Sequence, residues 1–227
     1  MSFIKARSQN FKLENMRGTF LFLLTPQKRE NNGVIKLTYS GSYLWPKTTE
    51  LVGKSVDGKI INIKEEAVRT AVEGFGDKAV EMIKNGVIPN PFLDGDGSQA
   101  VSKKTGERHK GFAGHYFLRA SATEKFPPDV RDDVLGADGK LVKITDPNRL
   151  KWGAYYHIVT NILAWEHPQN GKGLSFGLAA VQYAKDGEAL GNGGSGGGAD
   201  SFFEGVAPTA DAAKAAATGA GAGGLFA

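Results

Sequence analysis

Aromatic and basic side chains are interleaved at three places in this chain. Lys36, Tyr39, Tyr43, Trp45 and Lys47 lie on or beside one β-rich run. His115, Phe117 and Arg119 share one face of a second run, because side chains alternate along a strand. Arg149, Lys151, Trp152, Tyr155, Tyr156 and His157 cluster at the head of a third. Flat rings give unpaired bases something to stack on, and cations track phosphates, so the pattern is that of a single-stranded nucleic-acid binder. Tyr39, Tyr43, Trp45, Phe117 and Tyr155 are the stacking candidates; Lys36, Lys47, Arg119, Arg149 and Lys151 are the phosphate candidates; His115 and Trp152 complete the set. The same rings would also fill a barrel core. Of neighbours such as Tyr155 and Tyr156, only one can point inward.

Other chemistries find less support. There is no cysteine, which removes disulfides, thiolate zinc sites and a cysteine nucleophile. The four histidines form no i, i+4 pair, so neither a metal nor a cofactor is expected. Gly53-Lys54-Ser55 lacks the upstream glycine of a phosphate loop, and no GxSxG or GxGxxG follows a strand. Asp94-Gly95-Asp96-Gly97 opens like a calcium loop but lacks its closing glutamate, and reads as a turn. Asp129, Asp132 and Asp133 would suit a nuclease, yet no acidic strand accompanies them. The expectation is a binding protein, not an enzyme.

The elements that must carry these residues are mostly strands. Thr19 to Leu24 is an apolar strand that Thr25-Pro26 should stop. Val34 to Trp45 is a second, with Gly41 marking a bend or bulge. Gly111 to Ser121, Trp152 to Trp165 and Gly173 to Lys185 supply three more. Val68, Val72, Phe75, Ala79, Met82 and Ile83 recur at helical spacing between Glu65 and Lys84, with Gly74 and Gly76 able to split that helix in two. The fold class expected is mainly β with one helical segment: an OB-fold-like five-stranded barrel with long loops. No apolar run approaches the length of a membrane helix, and Met1 to Arg7 lacks the apolar stretch of a signal peptide. A protein without a membrane association is expected.

Charge is unevenly distributed. From Asp186 to Ala227 there are five acids and one base, a net −4, so residues 1–185 carry +8 of a chain whose total is +4. A basic body suggests a polyanion ligand, and the acidic end an internal competitor for it. Residues 187–227 contain 12 glycines and 12 alanines, too little apolar surface to offset chain entropy, so a domain over 1–186 and a disordered Gly/Ala-rich acidic tail over 187–227 are expected. Phe202, Phe203, Leu225 and Phe226 are isolated apolar residues within it and read as docking points for a partner.

Several motifs resemble a known family. Ile88-Pro89-Asn90-Pro91-Phe92-Leu93-Asp94-Gly95-Asp96, Gly114-His115-Tyr116-Phe117-Leu118-Arg119-Ala120-Ser121, Pro128-Asp129-Val130-Arg131-Asp132 and Gly173-Leu174-Ser175-Phe176-Gly177-Leu178-Ala179-Ala180-Val181-Gln182 are similar, in sequence and order, to bacteriophage single-stranded DNA-binding proteins. The resemblance covers about residues 15–190. It implies an OB-fold that binds and protects single-stranded DNA without sequence preference during phage replication or recombination, in the cytoplasm of the bacterial host. It also implies an acidic tail that shields the DNA groove and recruits phage replication proteins. This chain departs there, since its tail is only −4 and Phe226 is followed by Ala227. Homo-oligomerisation stays open. The alternatives are a β-barrel phage interaction or structural protein whose rings are all core, and a nuclease built on Asp129.

Overall fold

The computed structural model describes residues 3–31 and 34–190. The elements in chain order are β1 (Phe3–Arg7), β2 (Phe11–Asn31), β3 (Val34–Pro46), β4 (Val52–Ser55), β5 (Ile60–Asn62), α1 (Ile63–Phe75), α2 (Ala79–Lys84), β6 (Leu93–Asp94), β7 (His115–Thr123), β8 (Asp129–Leu135), β9 (Leu141–Lys143), β10 (Tyr155–His167) and β11 (Gly171–Lys185). Five of them close a ring. β2 pairs antiparallel with β3, β3 with β7, β11 with β10, and β10 back with β2, while β7 and β11 run parallel. In barrel order the ring therefore runs first, second, third, fifth, fourth and back to the first. This closed Greek-key barrel is the OB-fold.

Alternation along the barrel strands makes the core. Tyr43 and Trp45 of β3 and Leu118 and Ala120 of β7 join Leu13, Met16, Leu21 and Leu23 of β2 inside, with Tyr156, Ile158 and Ile162 of β10 and Phe176 of β11. Gly41 also faces this side, and the Tyr43 ring lies across it where a Cβ would stand. The first strand is longer than the sequence suggests. Instead of stopping at Thr25-Pro26, β2 continues to Asn31. Its register with β3 slips between Thr19 and Phe22 and again between Phe22 and Gln27, so Pro26 falls where the ladder is already broken and no N–H is required of it.

The helical stretch splits in two, as its glycines allow. Asn62 caps α1, its Oδ1 accepting from the Lys64 and Glu65 amides at 3.0 and 3.2 Å. Ile63, Ala67, Thr70 and Ala71 form the buried stripe of α1, and the helix packs on β1 and β10. Gly76 ends it at φ 76°, a conformation that glycine adopts without strain. No described helix is long and apolar enough to cross a membrane. The chain remains packed on the barrel as far as Leu190, which is buried and donates its amide to the Trp152 carbonyl at 3.1 Å. The tail expected from residue 187 therefore starts too early, since 187–190 belong to the packed chain; residues 191–227, with Phe202, Phe203, Leu225 and Phe226, lie outside the described residues.

Candidate nucleic-acid interface

If one face of β3 and β7 fills the barrel, the other looks outward. On β3 the outward residues are Ser40, Ser42 and Leu44; on β7 they are Phe117, Arg119 and Ser121, and Ser42 stands opposite Arg119 and Ser40 opposite Ser121. Leu44 and Phe117 are covered by Ala100 and Phe112 of the long connection between β6 and β7, a small apolar cluster outside the barrel. That connection is fastened at Asp96. Its carboxylate meets the Lys47 ammonium at 2.8 Å and the Arg108 guanidinium at 3.1 Å, while Asp94 meets Lys47 at 2.5 Å. Lys47 holds both carboxyls below the usual carboxylate range, and the Asp94 contact is the main cause of its own upward shift. The Asp94–Gly97 segment is thus a pinned turn.

Beyond this covered part lies a depression of about 330 Å³. Ser40, Ser42, Arg119 and Ser121 contribute its polar floor, and Phe20, Phe22, His109 and Phe112 its aromatic walls. The rings form a connected series. Phe20 stands 4.8 Å from His109 and 4.8 Å from Trp152 between centroids, and Trp152 stands 6.3 Å from Phe22. Phe20, Phe22, His109 and Trp152 are only half-buried, so part of each ring remains open to a ligand. The Arg119 guanidinium lies 5.4 Å over the Phe117 ring and donates to the Gln99 carbonyl at 3.2 Å, which holds a positive charge beside the aromatic wall.

The residues expected from the sequence divide sharply. Arg119 and the buried Phe117 line this depression, and Trp152 adjoins it through its ring contact with Phe20. Tyr43, Trp45 and Phe117 are buried and have no face to offer a base. Burial pushes the Tyr43 phenol far above its ordinary pKa. Tyr39 packs half-buried against the core. Lys36 is exposed in the hairpin arm of β2 and β3. His115 places Nδ1 2.8 Å from the Ala113 carbonyl. Arg149 is taken by Asp132 at 2.6 Å and Asp133 at 3.1 Å, and lies 3.8 Å over the Tyr183 ring. The guanidinium holds the Asp132 carboxyl well below the usual range. Lys151 pairs with Asp186 at 3.0 Å, and Tyr155 sits under Lys185 at 5.0 Å. Two causes separate these residues: inward-facing rings go to the core, and Lys47, Arg149 and Lys151 pair with carboxylates distant in sequence.

Phe20, Phe22, His109 and Phe112 were missed. The signal for two of them was present, because Phe20 and Phe22 alternate with Leu21 and Leu23 inside a run read only as an apolar strand. The register slip at this point turns the leucines inward and leaves both rings outside; Phe20 sits at φ 50° within it.

One carboxylate, Glu188, pairs with Lys110, the neighbour in sequence of the wall residue His109. Glu188 reaches Lys110 at 3.2 Å and Arg17 at 3.6 Å, and Lys110 is the main reason its carboxyl is held below its ordinary pKa. Leu190 is packed against Gly111, two residues from His109.

Residues 9–213 match the family model described as Enterobacter phage Enc34, ssDNA-binding protein. Protein p50 of Acyrthosiphon pisum secondary endosymbiont phage 1 is 29% identical over 192 residues, 81% of this chain and 87% of that one. Among solved structures, the single-stranded DNA-binding protein of bacteriophage Enc34 in complex with ssDNA is 20% identical, with a TM-score of 0.49 over 83% of this chain and 96% of that one. The single-stranded DNA-binding protein gp2.5 of bacteriophage T7 is 12% identical, with a TM-score of 0.43 over 92% and 99%.

Proposed function

The chain belongs to the family of the Enterobacter phage Enc34 ssDNA-binding protein, and from that premise we infer that it binds and protects single-stranded DNA during phage DNA replication. What carries this reading is the family match across residues 9–213. The outer face of β3 and β7 supplies the means. Unpaired bases stack on Phe20, Phe22, His109 and Trp152, and Arg119 draws the phosphates to the floor between them. In an OB-fold this face, flanked by the hairpin loops, is where oligonucleotides lie. Serines on the floor set little base pattern, so binding is indifferent to sequence. The reaction, if it can be called one, is occlusion: no bond is made or broken, and the protein acts as a binder rather than an enzyme.

The same reading extends to partners and place. The segment over 191–227, with Asp200, Glu204 and Asp211, acts as a tail that competes with DNA phosphates and offers Phe202, Phe203, Leu225 and Phe226 to phage replication proteins. The protein works in the host cytoplasm, where phage DNA is copied.

Titration of poly-dT against the intrinsic fluorescence of Trp45, Trp152 and Trp165 tests the reading, since Trp152 adjoins the groove. Quenching by single strands at concentrations where duplex has no effect is expected, because a duplex hides the faces of its bases. Equal affinity for duplex and single strand would overturn it.

A further inference from the structure

We propose that the DNA path does not end at Ser121 but crosses β11 and β10 into a second nucleotide site built from Arg7, Asn10, Phe126 and Asn161; this rests on reading the outer face of β3 and β7 as the DNA groove. Strand register lays out the path. Ser40 pairs with Ser121, Ser121 with Gly177, and Gly177 with Asn161. One row of residues therefore crosses four strands, and its first three members are too small to block a strand lying over them. Ser121 lines the aromatic depression and also a second one of about 470 Å³.

That second depression carries the three groups a stacked nucleotide needs. Phe126 stands at its rim, 69% exposed, with the Lys125 ammonium 5.5 Å over the ring. Arg7 also lines it, and among the described residues no carboxylate pairs with its guanidinium. At its inner end the Asn161 Nδ2 donates to the Asn10 Oδ1 at 2.8 Å, while the buried Asn161 Oδ1 has no partner among the described residues. The ring offers a stacking face, the cation meets a phosphate, and the Asn10 amide reaches the edge of the base. An unpaired nucleotide continuing from the first groove fits this set. A duplex does not, because its base faces are closed to Phe126.

Binding is measured with oligothymidylates of about 4 and about 12 nucleotides, two lengths within the range of site sizes of one OB-fold. The proteins compared are wild type, Arg7→Ala and Phe126→Ala, with melting temperatures recorded to exclude unfolding. Wild type gains affinity with length as the second site fills. Each variant keeps wild-type affinity for the short oligonucleotide and loses affinity for the long one, by about tenfold or more for Phe126→Ala, the range expected for one stacked base. No loss at the longer length, or the same loss at both, overturns the second site. Failure of wild type to bind either length overturns the proposed function itself, so the two are told apart.

Discussion

A ring's value to this protein depends on which side of its strand it occupies. Phe22 and Trp152 are half-buried on the outside, in contact with each other at 6.3 Å. Replacing either by alanine should cost roughly 1–3 kcal/mol of single-strand binding while shifting the melting temperature little; fluorescence or anisotropy titration beside a thermal melt checks both. Trp45, buried in the barrel, should behave in the opposite way. Trp45→Ala is expected to remove about 3–5 kcal/mol of folding stability, read by urea denaturation. Tyr43 is a subtler case. Its hydroxyl is buried with no hydrogen-bond partner among the described residues, and burial keeps the phenol protonated. Tyr43→Phe removes a desolvated group without leaving a cavity, so it should be neutral or stabilising by about 1 kcal/mol, with DNA binding intact.

The connection between β6 and β7 is the element that turns a bare sheet into a walled groove. It carries His109 and Phe112, packs on Leu44 and Phe117, and is pinned by Lys47 to Asp94 and Asp96, with Arg108 tying Asp96 within the connection. Both carboxyls have folded pKa values below their unfolded ones. Their contribution is therefore complete above about pH 4 and lost as the pH falls through the lowered folded values. Hydrogen exchange at the Gly114 amide, which donates to Asp96, reads this directly. Corrected for intrinsic rate, protection should hold down to about pH 4 and then fall. Protection unchanged well below that would show that apolar packing alone fastens the loop. A second element test lies at the start of α1, where Asn62 satisfies two amides. Asn62→Ala should lower stability by about 1 kcal/mol without altering DNA affinity, since Asn62 lines neither depression.

At the scale of the molecule, binding is an exchange of counterions for protein cations. Log affinity should fall linearly with log salt, with a slope near −0.7 for each phosphate neutralised on a single strand. Many of the basic body's cations are committed to internal pairs: Arg149 to Asp132 and Asp133, Lys151 to Asp186, Lys110 to Glu188. The slope should thus be shallow for a body of +8, with stacking supplying a large share of the affinity. Because Leu190 is packed on the barrel, the segment to delete is 191–227. Its removal should tighten binding at low salt, and the gain should shrink as salt screens the attraction. Unchanged or weaker binding after truncation would make that segment a spacer.

Alternation was enough to identify the strand His115–Thr123, because a buried face imposes a period of two on the residue types, but not its start, since Gly111–Gly114 form a turn ahead of it. The split near Gly76 was legible because glycine is the residue that tolerates φ 76°. The order of motifs carried the family resemblance, and with it the OB-fold and the ligand class. The walls of the groove were not legible. Phe20 and Phe22 face outward only because β2 slips register against β3 at that point, and a slip depends on pairing between strands. Nor did composition reveal which cations remain for phosphates. Lys47 lies 47 residues from Asp94 in the chain yet touches it, and Arg149 lies 17 residues from Asp132. Charge neutralisation acts through space with a reach of a few ångströms, so only the closed barrel could decide which rings stay exposed and which cations are neutralised by carboxylates.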